Sequence, residues 1–218
     1  MIPYTRFSSR KLGFAAFCTG VLMLTNSGGA TLTTTFASNN GQSGNMFDIL
    51  TNSDSISLNG LGVNIPAFVN SGTYEIYYRI GSHVGVENTA SAWTLLDTFT
   101  GVSSAGDNTA TFLDTTDLII PANTRVAIYS TSTTPNSLGL RYTNGTGVGD
   151  VASSNADVTI FQGTGNSYAF GTTFQPRIWN GTIDYEVIPA AVPEPARAGL
   201  LLLGFLAAST ARKRKISR

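Results

Sequence analysis

Thr73-Tyr74-Glu75-Ile76-Tyr77-Tyr78-Arg79-Ile80, bounded by Gly72 and Gly81, decides the fold class. Tyr74, Ile76, Tyr78 and Ile80 fall on one face of an extended chain and Glu75, Tyr77 and Arg79 on the other, the period-two pattern of a strand with one buried face. Similar segments recur over residues 56–65, broken at Gly60 and Gly62, and over 93–100, 109–113, 118–120, 125–130, 138–143, 157–161 and 177–187. Asn59-Gly60, Gly106-Asp107-Asn108, Pro121-Ala122-Asn123, Thr134-Pro135-Asn136 and Asn144-Gly145 separate them with residues that preset φ or tolerate the left-handed region. About nine such strands without helical stretches between them predict an all-β domain over residues 31–187. The expected architecture is a single antiparallel β-sandwich of jelly-roll type, with a closed barrel as the open alternative.

The two ends are of another kind. Arg6, Arg10 and Lys11 precede an apolar run over residues 12–24, and Gly28-Gly29-Ala30 offers small residues for cleavage, so residues 1–30 read as a signal peptide with a helical centre. The single cysteine, Cys18, lies within that leader; bulky Phe17 before it argues against a lipoprotein site, and the exported part has no disulfide, thiolate metal site or cysteine nucleophile.

At the other end, Val192-Pro193-Glu194-Pro195 is followed by an apolar run over residues 198–211 and then by Arg212-Lys213-Arg214-Lys215. Proline excludes the triplet from a helix interior, so it marks an extended, protease-accessible boundary. The fourteen-residue apolar run is helical in character but short of the ~20 residues that span a bilayer core. The basic cluster stays on the cytoplasmic side. A plain membrane anchor would share this outline. The order of motif, short helix and basic end resembles the PEP-CTERM sorting signal of exported bacterial proteins, over residues 192–218; residues 188–192 before it read as an extended linker, so that linker and signal together occupy 188–218. That resemblance implies transient residence in the inner membrane and cutting near Pro193-Glu194-Pro195 by a membrane protease of the exosortase class. The product would then be placed at the cell surface or outside the cell.

Net charge is zero over the whole chain, but between residues 31 and 192 twelve carboxylates face four arginines (Arg79, Arg125, Arg141, Arg177) and no lysine. An acidic domain of this kind lacks the clustered cations that bind a phosphate backbone, which excludes nucleic acid as a partner.

Catalytic patterns are missing as well. A hydrolase triad needs a histidine base, and the only one, His83, sits in the loop Gly81-Ser82-His83-Val84-Gly85, where a solvated side chain is the expectation. Glu75, Glu87, Asp97, Asp184 and Glu186 are the carboxylates from which a glycosidase pair would be drawn, but nothing marks a pair. The chain is read as no enzyme, with no cofactor and no assigned metal site. Calcium is the one ion the loops could hold, at Asp107-Asn108, Asp114/Asp117 or Asp150, Asn155 and Asp157. Trp93 is expected in the core. Trp179, Tyr142 and Tyr77 are the candidates for a face that stacks on sugar rings, against the commoner use of aromatics as core.

A second resemblance rests on Thr34-Thr35-Phe36-Ala37-Ser38-Asn39-Asn40-Gly41, Gly44-Asn45-Met46-Phe47-Asp48, Ser91-Ala92-Trp93-Thr94-Leu95-Leu96, Leu140-Arg141-Tyr142-Thr143-Asn144-Gly145 and Pro176-Arg177-Ile178-Trp179-Asn180-Gly181. This set is similar to a β-rich module of exported bacterial proteins that carry sorting tails, a module without an established activity. The functional expectation is a structural or interaction protein of the cell surface or extracellular matrix. The alternative is a carbohydrate-binding module attaching to exopolysaccharide.

Overall fold

The computed structural model describes residues 29–134 and 139–189. The alternating segment over residues 73–80 forms β5 (Gly72–Ile80), with Tyr74 and Ile76 in the core and Ile80 emerging into solvent at its end. The other strands are β1 (Ala30–Thr33), β2 (Asn40–Gln42), β3 (Gly44–Thr51), β4 (Ser55–Asn64), β6 (Thr94–Val102), β7 (Ala110–Ile120), β8 (Arg125–Ser132), β9 (Leu140–Asn144), β10 (Val151–Ser154), β11 (Val158–Asn166), β12 (Thr173–Trp179) and β13 (Gly181–Ile188).

They form two sheets with antiparallel strand pairing. The smaller is ordered β1-β13-β4-β7; the larger runs β2-β9-β12-β11-β3-β8-β5-β6, with β10 attached to β11. Inward side chains of both interdigitate: Phe47, Ile49, Ile76, Val126 and Ile128 from the larger sheet meet Ile56, Leu58, Leu61, Val63, Leu113 and Ile183 from the smaller in one buried cluster. The architecture is all-β and consistent with a β-sandwich, as two sheets sharing one core require.

Three segments differ from the sequence-based expectation. Residues 109–113 and 118–120 belong to one strand, β7, whose alternation is interrupted by a bulge where Leu58 and Gly60 of β4 face Leu118 and Asp114. Residues 177–187 belong to two strands, because after Trp179 the chain leaves the larger sheet and Gly181 starts pairing with β4 in the smaller. Strand β3, at the centre of the larger sheet, is not among the segments that the alternation picks out. Ala30, assigned to the leader, opens β1 opposite Tyr185. The expected signal helix, the C-terminal apolar helix and the sorting residues Pro193, Glu194, Pro195, Arg212, Lys213, Arg214 and Lys215 lie outside the described residues. Among the described residues no helix is long and apolar enough to cross a membrane.

Strand β11 joins three neighbours. Along one edge it pairs with β3; along the other it gives Thr159–Phe161 to β10 and Gly163–Asn166 to β12, with irregular register between. Gly163 is pressed so close to β3 that a Cβ there would lie 1.9 Å from the Met46 carbonyl oxygen, a clash with backbone that no rotamer change relieves. Gly163→Ala is therefore expected to cost about 3 kcal/mol, read as a lower urea midpoint with an unchanged slope.

Candidate functional site

The outer face of the larger sheet carries a second, smaller core. Met46 of β3, Ala127 and Tyr129 of β8 and Trp93 are buried there, with Tyr77 of β5 and Phe170 packed against them. The cover is irregular chain: residues 81–93 fold back over the sheet, and residues 167–171 bring in Phe170. Tyr129 and Phe170 rings lie 5.1 Å apart, Tyr77 and Phe170 5.1 Å and edge-on, and Trp93 and Tyr129 6.0 Å. Trp93 Nε1 donates to Val86 O at 3.1 Å, and Asn88 Nδ2 donates to Phe170 O at 3.0 Å, so the two covers hold each other. Phe170 has a φ of 54°, which a bulky residue adopts only when its surroundings enforce it, here three rings around its own. Burial pushes the Tyr129 hydroxyl up to about 12.

Beside these rings is a buried ionic group. Asp48, on β3, accepts from the His83 backbone N–H at 3.0 Å and lies 2.7 Å from His83 Nδ1 through the same oxygen, Oδ1. Arg125 Nη1 donates to Oδ2 at 3.0 Å, and its guanidinium covers the Phe161 ring at 4.1 Å. His83 is 1% exposed, which corrects the expectation of a solvated loop histidine. A carboxylate orienting a histidine is two-thirds of a hydrolase triad. Among the described residues nothing supplies the remaining third: His83 Nε2, the atom a base would use, is buried without a hydrogen-bond partner there. The group is a latch that fixes residues 81–93 to the sheet.

Its electrostatics give a testable pH dependence. Burial alone would raise the Asp48 carboxyl, but the His83 hydrogen bonds and charge outweigh it and hold the group at about 2, below its ordinary 3.8. A folded value below the unfolded one means that the stabilisation is fully present above about pH 4 and is lost as pH falls through 2. Its size is about 2 kcal/mol. Unfolding free energies from urea titrations at pH 5 and pH 2 should fall by that amount more in the wild type than in Asp48→Asn.

The aromatic candidates divide. Trp179 is 2% exposed and stacked on Phe47, ring centres 4.2 Å apart and 12° from parallel, between the two sheets. Gly181 makes room for it, since a Cβ there would lie 2.1 Å from the indole. Tyr142 is 1% exposed, with the Arg177 guanidinium 5.5 Å from its ring centre. Neither offers a ring face to a ligand, which corrects their reading as platform residues. Tyr77 is half-buried and donates to Glu75 Oε2 at 2.8 Å; Tyr168, also half-buried, sits beside the same carboxylate. Trp93 is buried, as expected.

The loop acids are engaged by protein donors. Asp107 Oδ1 accepts from the Ala67 amide at 3.0 Å and lies 3.3 Å from Arg141 Nε. Asn155 Oδ1 accepts from the amides of Asp157 and Val158, and Asp157 Oδ2 accepts from the Tyr185 hydroxyl at 2.9 Å. Asp114 and Asp117 belong to the bulged strand β7. Among the described residues no three of His, Cys, Asp or Glu converge as metal ligands. Of the glycosidase candidates, Glu75 and Asp97 lie on neighbouring strands of the larger sheet, with Asp97 opposite Ile76 and bonded to Thr116 rather than to Glu75, and Asp184 and Glu186 lie on β13 of the smaller.

No family model and no curated protein matches this chain. Among solved structures it has a faint likeness to a chain from the Gx strain of infectious bursal disease virus, 11% identical over 88% of this chain and 48% of that one, TM-score 0.23. A mutant VP2 protein from T=1 particles of the same virus is 14% identical over 84% and 48%, TM-score 0.21. The chain spans about half the length of these proteins.

Proposed function

We propose that the chain is an exported structural or interaction module of the bacterial cell surface or extracellular matrix, jelly-roll-like in topology and without a catalytic site for an external substrate. In this reading an exosortase-type protease processes its PEP-CTERM tail near Pro193-Glu194-Pro195, after transient residence in the inner membrane. The observation that carries the interaction role is the exposed apolar side chains Leu95, Phe112 and Ile119 on the edge strands β6 and β7, which meet where Asp97 accepts from Thr116. Edge strands that show apolar side chains to solvent and carry no lysine or proline offer a surface for association with a partner.

A photoreactive residue placed at Leu95 or Phe112 of the full-length chain should capture a protein partner on intact producing cells. Uncrosslinked chain at both positions would remove the proposal. The sorting reading is tested separately by mass spectrometry of the C-terminal peptide in cells with and without the sorting protease. An intact tail in both would sink it.

Carbohydrate binding to exopolysaccharide stays as the second reading because Tyr77 is half-exposed beside a carboxylate, a pairing suited to hydroxyl-rich rings. Affinity electrophoresis of the full-length chain against the organism's own exopolysaccharide, with and without calcium, addresses it. Retardation abolished in a folded Tyr77→Ala variant would favour this reading over the first.

A further inference from the structure

Where β11 changes partner from β10 to β12, Gln162 points its amide into the loop between β9 and β10, and that amide is not merely tied down. Gln162 Oε1 accepts from the backbone N–H of Thr146 at 2.8 Å and of Gly147 at 3.4 Å. Gln162 Nε2 donates to Thr146 Oγ1 at 3.2 Å, while the same hydroxyl donates to Asp150 Oδ2 at 2.7 Å. With Oγ1 3.4 Å from Oε1 as well, the hydroxyl oxygen lies against the amide group, and a turn of that amide out of the Nε2 hydrogen bond brings its carbonyl face toward Oγ1. The glycines on either side of Thr146 keep this space open. A Cβ at Gly145 would lie 2.4 Å from Gln162 Oε1, and one at Gly147 would lie 2.8 Å from Asp150 Oδ2. Gln162 is 5% exposed, whereas Thr146 and Asp150 are at the surface, where a small product can leave.

A hydroxyl on a carboxylate base, beside a carbonyl carbon whose oxygen is held by two backbone N–H groups, is the arrangement of an acyl transfer. We propose that Thr146 and Gln162 form an intramolecular ester cross-link. Asp150 takes the hydroxyl proton as Thr146 Oγ1 attacks Cδ of Gln162. The charge that develops on Oε1 is held by the amides of Thr146 and Gly147. The C–N bond then breaks, and the departing nitrogen takes the proton back from Asp150 and leaves as ammonia. One C–O bond replaces one C–N bond, and no oxidant or co-reactant enters. The cross-link ties the β9–β10 loop to β11 and is independent of what the surface binds.

Asp150 and Asp157 lie between the two residues, so digestion at aspartate separates them unless they are joined. Peptide mapping of the purified full-length chain is expected to show one joined species, lighter by one ammonia than its two parts and separated by mild alkali into one peptide with Thr146 and one with glutamate at position 162. Thr146→Ala and Asp150→Asn should give separate, unmodified peptides while retaining the wild-type strand signal in circular dichroism. Glutamate at position 162 that appears only in protein carrying Thr146 records the ester after hydrolysis and supports the proposal. Separate peptides with intact Gln162 in folded wild type overturn it, as does glutamate formed equally in Thr146→Ala.

Discussion

Asp48→Ala should lower the stability of the domain by about 3–5 kcal/mol at neutral pH, the cost of breaking a buried ionic group by removing one partner. The size comes from the groups left behind. His83, 1% exposed, would have neither ring nitrogen bonded, and its backbone N–H would lose the same acceptor. Arg125 is partly exposed and can rehydrate, so it adds less. Asp48→Asn keeps an acceptor and should cost less than Asp48→Ala. Urea denaturation at pH 7 reads both. A loss below 1 kcal/mol in Asp48→Ala would mean that the latch is not coupled to the fold. If residues 81–93 are fixed by this group, hydrogen exchange in Asp48→Ala should accelerate first at Val86, Thr89, Ala92 and Trp93, whose amides close the turns of that segment.

Trp179→Ala is the second large effect, about 4 kcal/mol, because it empties a large volume between the sheets. Three neighbours make collapse around the void difficult. Phe47 loses its stacking partner, Gly181 has no side chain to move in, and Asn180 is itself fully buried at the crossing between sheets. The measurement is again the urea midpoint, with near-ultraviolet circular dichroism reporting the loss of the stacked indole. Unchanged stability would require a Trp179 outside the core.

The fold class is legible in the sequence wherever one face of a strand meets water. Tyr74 and Ile76 alternate with Glu75 and Tyr77 because only one side of β5 faces the main core at that point. Strand β3 is hidden for the opposite reason. Gly44–Thr51 is covered inside by the main core and outside by residues 81–93, so seven of its eight residues are buried and no alternation survives. The crossing at Asn180 reads as a bend within one strand, since a chain that moves between sheets over one residue keeps extended geometry throughout.

The functional residues are harder to read, because their partners are far apart in sequence. Asp48 and His83 are separated by 35 positions, and a loop histidine among small residues carries no local sign of the carboxylate that buries it. For Trp179 and Tyr142, residue type alone does not distinguish a core ring from a sugar platform. The available signal is Gly181 beside Trp179, since a glycine next to an indole gives it a bed in the interior rather than a face toward solvent.

The pairing of the first and last described strands has a mechanical consequence. Any tension carried by residues beyond Ile188 enters the molecule through β13, which lies in the interior of the smaller sheet, bonded to β1 on one side and along its whole length to β4 on the other. A pull along that strand loads its ladders in parallel rather than one rung at a time. The point of attachment is therefore a clamp, and it yields only when the smaller sheet itself comes apart.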